Sequence, residues 1–269
     1  MKRFLLIFLI ACAPGCSPGP EHKLRLADVT LDYLIAGNGP PIYLLHGGME
    51  SRDSFSEQIP ALAEHFTVVA LDSREQGRST KSERQITYEL MAQDVAALAK
   101  HLGHDKFSII GHSDGGVVAL TTAIRYPDMV EKMVLIETVY HYEAYPAETR
   151  NYIANYEWDG NEDRAQFPGM FIDDYLKGQK DLSQFGATLA ELAIMWTTTP
   201  TFSMSDLASV KAAALIINGS LDDTTLGHVE SLRAGLPDAR LEVVTGAAHH
   251  PHQEEPKLVN NAILAFLSQ

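Results

Sequence analysis

Residues 111–115 have the sequence GHSDG, in which a serine stands between two glycines in a G-x-S-x-G pattern. An apolar run at residues 107–110 comes directly before it, and helical spacing over residues 116–125 follows directly after. A sharp turn between a strand and a helix exposes the serine hydroxyl on a strained backbone and aims the helix N-terminus at the same point. The pattern therefore predicts Ser113 as a nucleophile.

A serine hydroxyl is a poor nucleophile until a base takes its proton. Among the eleven histidines, His249 is favoured because it lies in the loop after the last predicted strand, residues 241–244, from which it can reach Ser113. His250 and His252 are its competitors, and three close histidines could also suggest a metal site. No cysteine, aspartate or glutamate spacing around them completes a recognised ligand set, so we predict neither a metal nor a cofactor.

The histidine needs a carboxylate that orients it, and Asp222 and Asp223 both follow the apolar run 215–217. Either aspartate could instead cap the helix predicted over residues 224–233. With Asp222 as the acid, the chain order is nucleophile, acid, base. That order differs from the order in trypsin-like and subtilisin-like enzymes.

A tetrahedral oxyanion requires preorganised N–H donors. Residues 46–49 have the sequence HGGM after a predicted strand at 42–45, and this loop can present the Gly48 N–H. The residue after the nucleophile, Asp114, can present a second N–H. We expect His46 to brace the loop and not to react.

The elements that position these groups alternate between short apolar runs and helical stretches along most of the chain. Such alternation predicts a mostly parallel sheet with helices on both faces. It fails over residues 139–205, which hold both tryptophans and six of the ten tyrosines. We interpret this stretch as a helical cap over the carboxyl ends of the strands, inserted into a core of residues 24–138 and 206–269. The alternative is a helical subdomain with an ordinary aromatic core.

The composition limits the classes of partner that the protein can bind. The 269 residues carry 21 Lys and Arg against 35 Asp and Glu, a formal net charge of −14, and 45% are hydrophobic. One α/β domain of this length has an ample core. An acidic surface repels phosphate backbones, so we predict no nucleic-acid partner. We expect a monomer that takes a small-molecule substrate.

Residues 1–11 begin with a basic stretch and continue into a short apolar run. The run is too short to span a bilayer and is typical of a secretory signal. Residues 9–12, LIAC, resemble the lipobox of bacterial lipoproteins, and Cys16 is a second candidate for lipidation after Cys12. We expect export to the bacterial periplasm or membrane attachment as a lipoprotein, with residues 17–23 as a tether. An ordinary cleaved signal is the alternative.

Together these motifs resemble the α/β-hydrolase superfamily over residues 24–269. Within it they are most similar to the valacyclovir-hydrolase-like (biphenyl-hydrolase-like) serine hydrolases, through SDGG at residues 113–116 and, more loosely, through residues 196–202. The resemblance implies an α/β-hydrolase fold with an eight-stranded sheet and hydrolysis of a small carboxylic ester. Amide, lactone or C–C bond hydrolysis and a non-catalytic binding protein are the alternatives. Dehalogenase and epoxide hydrolase relatives carry aspartate in place of Ser113, which disfavours those activities.

The resemblance also implies a substrate-binding role for Asp114, and the positions of two further residues suggest that they line the pocket. Asp114 corresponds to an aspartate that holds the α-amino group of amino-acid esters; otherwise it points into solvent or caps its helix. Glu137, at the end of the sixth predicted strand, and Trp196 in the cap are expected to line the pocket. Glu75 and Ala248 stand where the family usually has glycine, which puts the local backbone geometry there in question.

Overall fold

The computed structural model describes residues 21–163, 167, 169–179 and 181–269. The predicted leader, with Cys12 and Cys16, lies outside these residues. Among the described residues, no helix has both the length and the apolar character that crossing a bilayer requires.

Eight strands form one sheet in the order β1-β2-β4-β3-β5-β6-β7-β8. The strands are β1 (Glu21–Arg25), β2 (Thr30–Ala36), β3 (Pro41–Leu45), β4 (Thr67–Asp72), β5 (Phe107–His112), β6 (Val130–Ile136), β7 (Ala213–Gly219) and β8 (Ala239–Val244). The β1–β2 and β2–β4 pairs are antiparallel, and the other five pairs are parallel. The predicted eight-stranded, mostly parallel sheet is confirmed.

Helices cover both faces of the sheet. They are α1 (Gln58–Ala63), α2 (Tyr88–Leu102), α3 (Asp114–Arg125), α4 (Ala147–Ala154), α5 (Ile172–Gly178), α6 (Phe185–Thr198), α7 (Met204–Ala208), α8 (Leu226–Gly235), α9 (Pro251–Glu254) and α10 (Pro256–Leu267). Short 3-10 helices occur at Arg52–Phe55, Tyr142–Ala144 and Gly169–Phe171.

Successive strand residues face two separate cores, because side chains alternate across a sheet. In β3, Tyr43 packs in the core shared with α2, α3 and α8, whereas Leu44 packs in the core shared with α1 and α10. Both side chains are fully buried. Burial on both faces explains why the parallel strands appear in the sequence as unbroken apolar runs.

The boundaries of α2 follow from its end residues. The Thr87 hydroxyl accepts a hydrogen bond from the Leu90 N–H and caps the first turn, and Gly103 ends the helix with a φ of 73°. Leu98, on the inner face, is completely buried. Full burial of one such leucine stabilises the fold by about 1.5–3 kcal/mol.

The chain between β6 and β7, most of which is interpreted as a cap, contains α4, α5, α6 and α7 in its described part. An isolated bridge between His141 and Thr201 joins the two ends of this stretch. Its aromatic side chains pack on one another: the rings of Trp158 and Phe185 lie 4.7 Å apart, and Phe185 is fully buried. Some of its aromatic residues therefore do form an ordinary core.

Two boundaries differ from the sequence expectation. Strand β1 begins at Glu21, inside the segment assigned to the tether, because Glu21 pairs with Leu34 of β2. Helix α8 begins at Leu226, and its N-cap is Thr225, whose side chain accepts from the His228 N–H. Neither Asp222 nor Asp223 caps this helix.

Candidate active site

Ser113 lies at the junction where β5 ends and α3 begins, with a φ of 51° and a ψ of −116°. A left-handed φ is uncommon for a side-chain-bearing residue and costs on the order of 1–3 kcal/mol. The glycines on either side allow the turn. A Cβ on Gly111 would lie 2.1 Å from the Gly115 carbonyl oxygen, and one on Gly115 would lie 2.0 Å from the Leu45 carbonyl oxygen. The G-x-S-x-G pattern is thus a steric requirement of this crossing.

The structure brings the predicted base and acid to this serine. His249 Nε2 lies 3.1 Å from Ser113 Oγ, and His249 Nδ1 lies 2.6 Å from Asp222 Oδ2. Because Nδ1–H donates to the carboxylate, Nε2 is left to accept the serine proton. Asp223, the rival acid, is exposed.

Asp222 is held as an anion. Its other oxygen, Oδ1, accepts from the Thr224 N–H at 2.7 Å. Burial alone would raise its pKa, but the hydrogen bonds from His249 and Thr224 lower the pKa of Asp222 to about 2. The carboxylate is therefore ionised near neutral pH and can stabilise an imidazolium at residue 249.

The loop of residues 46–49 is fixed by side chains on both sides of Gly48. The Gly47 N–H donates to Glu50 at 3.0 Å, and the Met49 N–H donates to Gln76 at 2.7 Å. His46 braces the loop, since its Nδ1 lies 2.7 Å from the Gly47 carbonyl oxygen and its Nε2 accepts from Ser73 N–H at 2.9 Å.

Two backbone N–H groups are candidates for the oxyanion donors: that of Asp114, which follows Ser113, and that of Gly48, which lies against the Asp114 side chain. Asp114 is the first residue of α3, where N–H groups have no acceptor within the helix. No described residue accepts a hydrogen bond from the Gly48 N–H between its two anchored neighbours. Both predicted oxyanion donors thus lie on backbone that hydrogen bonds or a helix hold in place, and their role in the reaction stays a prediction.

The Asp114 side chain is buried, so it does not point into solvent. It accepts from the Tyr88 hydroxyl at 2.7 Å and from the Trp196 indole N–H at 2.9 and 2.8 Å. Burial raises its pKa, although these two donors oppose the shift. A Cβ on Gly48 would lie 2.5 Å from Asp114 Oδ2 and 2.4 Å from the Trp196 ring, so the three residues are in close contact.

Glu137 lies beside Asp222, the acid of the site. It is fully buried, and its Oε1 accepts from the Gly219 N–H at the end of β7. One oxygen or nitrogen from each of Glu137, Asp222 and His249 falls within 4.8 Å of the others. Burial, followed by the charge of Asp222, raises the pKa of Glu137 to about 9. Its carboxyl group thus contacts the acid, in contrast to the pocket position expected from the sequence.

A second carboxylate–histidine cluster, not predicted from the sequence, supports the loops. Glu50 Oε1 lies 2.9 Å from His250 Nε2 and 3.4 Å from His112 Nδ1. His112 Nε2 in turn lies 2.7 Å from the His249 carbonyl oxygen. This cluster joins the loop of Gly48 to the loop of His249. The only signals in the sequence are the position of His112 inside the pentapeptide and that of His250 beside His249.

The remaining competitor, His252, is fully buried and packs its ring 5.1 Å from that of Phe55. His252 is therefore inaccessible to solvent and packs in the core. In two groups among the described residues, three carboxylate or imidazole side chains have oxygen or nitrogen atoms within 4.8 Å of one another. They are Glu50, His112 and His250, and Glu137, Asp222 and His249.

The two departures from the family pattern are accommodated differently. Glu75 adopts a φ of 63°, the conformation that glycine would take easily, and its carboxylate lies 3.1 Å from Lys81 Nζ. Ala248 needs no such conformation, because the left-handed residue of its loop is Gly246, with a φ of 86°.

Comparisons with known proteins agree with this architecture. Residues 40–256 match the family model described as alpha/beta hydrolase fold. A putative esterase/lipase from Haemophilus influenzae is 28% identical over 244 residues, which cover 86% of this chain and 84% of that protein. A thermophilic esterase from Thermogutta terrifontis superposes with a TM-score of 0.77 at 26% identity, covering 93% of this chain and 98% of that one.

A soluble epoxide hydrolase from a Corynebacterium species is 40% identical over 119 residues, or 44% of this chain, and the match spans 42% of that relative's length. The family model, in contrast, covers most of the chain, from β3 to the start of α10. The chain therefore belongs to the alpha/beta hydrolase fold family of enzymes.

Proposed function

We propose that the protein is a serine esterase that cleaves a small carboxylic ester through an acyl-enzyme. The observation that carries this proposal is the continuous line of hydrogen bonds from Ser113 Oγ to His249 and on to Asp222, at 3.1 and 2.6 Å. A nucleophile, a base and an orienting acid at these separations form the arrangement needed for acyl transfer.

In the acylation step, Ser113 Oγ attacks the ester carbonyl carbon while its proton passes to His249 Nε2. The carbonyl π electrons move to the oxygen, and the resulting oxyanion accepts hydrogen bonds from the Gly48 and Asp114 N–H groups. Asp222 stabilises the imidazolium. When the tetrahedral intermediate collapses, His249 gives its proton to the leaving alkoxide, which departs as the alcohol.

In the deacylation step, His249 takes a proton from water, and the hydroxide oxygen attacks the acyl carbon. The second intermediate expels Ser113 Oγ, which regains a proton from His249, and the acid is released. The positive end of the α3 dipole and the two N–H donors act on both intermediates. Neither step uses a cofactor.

We infer that neutral acyl groups are preferred to amino-acid esters. The Asp114 carboxylate already accepts from Tyr88 and Trp196 in a buried environment. A substrate ammonium would have to displace the indole or share the carboxylate with it, and the loss of water from the ammonium opposes its attraction to the carboxylate. A substrate series that compares acetyl and butyryl esters with glycyl and valyl esters tests this inference, and faster turnover of the amino-acid esters would contradict it.

The nucleophile is tested with Ser113→Ala and with Ser205→Ala, an exposed serine, as the matched control. The parent and the control should hydrolyse p-nitrophenyl esters and react with a fluorophosphonate probe. Ser113→Ala should lose labelling and at least roughly a thousandfold in rate. A folded parent that fails to label would favour a non-catalytic binding protein on this scaffold.

We also propose that the chain is exported and attached to a membrane through Cys12 or Cys16. A basic start, an apolar run and a cysteine in a lipobox-like sequence support this. A single acyl chain binds a membrane only marginally, so firm attachment needs more than one. The intact mass of detergent-extracted protein would identify the modified cysteine, and a mass that retains residues 1–11 would refute processing.

A further inference from the structure

Glu137 carries one buried oxygen atom that accepts no hydrogen bond from a described residue. The residue follows β6 with a φ of 47°, and it is 1% exposed. Oε1 accepts from the Gly219 N–H, but Oε2 has no hydrogen-bond donor among the described residues. What lies beside this carboxyl group is the carboxylate of Asp222.

Two ionised carboxylates in contact inside a protein repel strongly, so such a pair retains one proton. Asp222 is the better anion because it accepts from both His249 and Thr224. Glu137 has only one backbone donor and is more deeply buried. Burial and the neighbouring charge raise the pKa of Glu137 to about 9, whereas the hydrogen bonds from His249 and Thr224 hold that of Asp222 at about 2.

We propose that Glu137 is a positioning residue that carries a proton on Oε2 and donates it in a hydrogen bond to Asp222. This bond supplies the missing partner of Oε2 and gives the Asp222 carboxylate a donor in addition to His249 and Thr224. Glu137 itself touches neither the substrate nor the nucleophile. Its kinetic effect rests on the proposed esterase function, but its protonation does not.

The groups that face Glu137 come from three segments. They are Asp222 after β7, His249 and Glu254 after β8, and Tyr145 beside the 3-10 helix at residues 142–144. Burial, followed by the charge of Asp222, raises the pKa of Tyr145, so the phenol stays neutral. Among these four groups, His249 alone can become cationic. Loss of the Glu137 proton therefore adds a second negative charge and removes the hydrogen bond to Asp222.

Infrared difference spectroscopy on the full chain tests the proton directly. The parent at pH 7.5 should show the C=O stretch of a protonated carboxylic acid that Glu137→Gln lacks and that disappears as the pH rises through about 9. Glu75→Gln is the matched control, because Glu75 is buried but paired with Lys81, and it should leave the band unchanged. Asp222→Asn should shift the band. A band that is absent from the parent, or unaffected by Glu137→Gln and Asp222→Asn, overturns the proposal.

The pH profile of kcat separates positioning from mere packing. The parent kcat should decline above about pH 9, because Glu137 then loses the proton that it donates to Asp222. Glutamine has no such proton to lose and can still donate to Asp222 and accept from Gly219. Glu137→Gln should therefore keep the parent kcat near pH 7 and show no decline above about pH 9. Glu137→Leu should lower kcat about tenfold with little change in KM. If kcat of Glu137→Gln still declined above about pH 9, or if Glu137→Leu kept the parent kcat, Glu137 would not be a positioning residue for Asp222. A parent that hydrolyses no ester at any pH refutes the proposed function instead, while the infrared band still decides the protonation of Glu137.

Discussion

The indole N–H of Trp196 donates to both carboxylate oxygens of Asp114, at 2.9 and 2.8 Å. The contact joins α6, from the stretch interpreted as a cap, to the first residue of α3. The backbone N–H of Asp114 is one of the two proposed oxyanion donors. Asp114 therefore contacts the cap through its side chain and, in the proposed mechanism, stabilises the oxyanion through its main chain. We therefore expect that weakening this contact disturbs the fit of the cap and the rate together.

Trp196→Phe removes the indole N–H and leaves Tyr88 as the donor to a buried Asp114 carboxylate. The free energy of unfolding should fall by about 1–3 kcal/mol, because a buried polar group loses a partner. We expect kcat/KM for a butyryl ester to fall about tenfold. Trp158→Phe is the control, since its ring packs on Phe185; equal losses in the two variants would show that ring packing and not the contact with Asp114 is responsible.

The cluster around Glu50 predicts a pH-dependent contribution to stability. Although burial opposes each charge, Glu50 raises the pKa of His250, and His112 and His250 lower that of Glu50. The His250 contribution is complete below its ordinary pKa of 6.5 and is lost as the pH rises through the raised value. The Glu50 contribution is present above its ordinary value of 4.5 and is lost as the pH falls through the lowered one.

Both contributions are present between these two ordinary values, so Glu50→Gln should destabilise the protein more at about pH 5.5 than at about pH 8.5. Urea unfolding at the two pH values measures the difference. In the background of His250→Gln the same change should lose most of its pH dependence. The second ring beside Glu50, His112, has its pKa lowered by burial, so His250 carries the charge. A destabilisation that is equal at both pH values would contradict this assignment.

The sequence could predict those site residues whose pattern involves neighbouring residues of the chain. The strand, turn and helix around Ser113 are adjacent in the chain, so their pattern predicted the nucleophile. His249 could be found because it follows a strand, and parallel strands end at one edge of the sheet. The choice of Asp222 over Asp223 could not be made from the sequence, because it depends on which of two neighbouring side chains turns toward His249.

The buried polar partners had no local signal. Tyr88 meets Asp114, and Glu50 meets His250, across 26 and 200 residues of chain. Glu137 was expected in the pocket because it ends a strand, but its φ of 47° and the nearby Gly219 N–H direct its carboxyl group to the acid. Such pairings follow from how the strand ends meet, which periodicity does not encode.

The turn at the nucleophile predicts a contrast between two glycines. A Cβ at Gly111 would lie 2.1 Å from the Gly115 carbonyl oxygen, whereas nothing lies within 4 Å of a Cβ at Gly227 in α8. Gly111→Ala should destabilise the fold by about 1–3 kcal/mol or more through overpacking. Gly227→Ala should stabilise it by roughly 0.5–1 kcal/mol, since alanine is the better helix former. Urea unfolding measures both, and a neutral Gly111→Ala would show that the turn relaxes freely.

The strongest contrast is expected between the two adjacent aspartates. Asp222→Asn removes the charge that stabilises the His249 imidazolium, and its amide can donate to Nδ1, which favours the tautomer with the proton on Nε2. In that tautomer His249 cannot accept the Ser113 proton, so kcat should fall by a factor on the order of 10⁴. Asp223→Asn changes the same formal charge one residue away on an exposed side chain and should retain the parent kcat.

Single-turnover hydrolysis with a p-nitrophenyl ester separates acylation from deacylation, and both steps should slow in Asp222→Asn because His249 acts in each. If the two variants lost activity equally, Asp222 would not be the orienting acid, and net charge near the site would explain the loss.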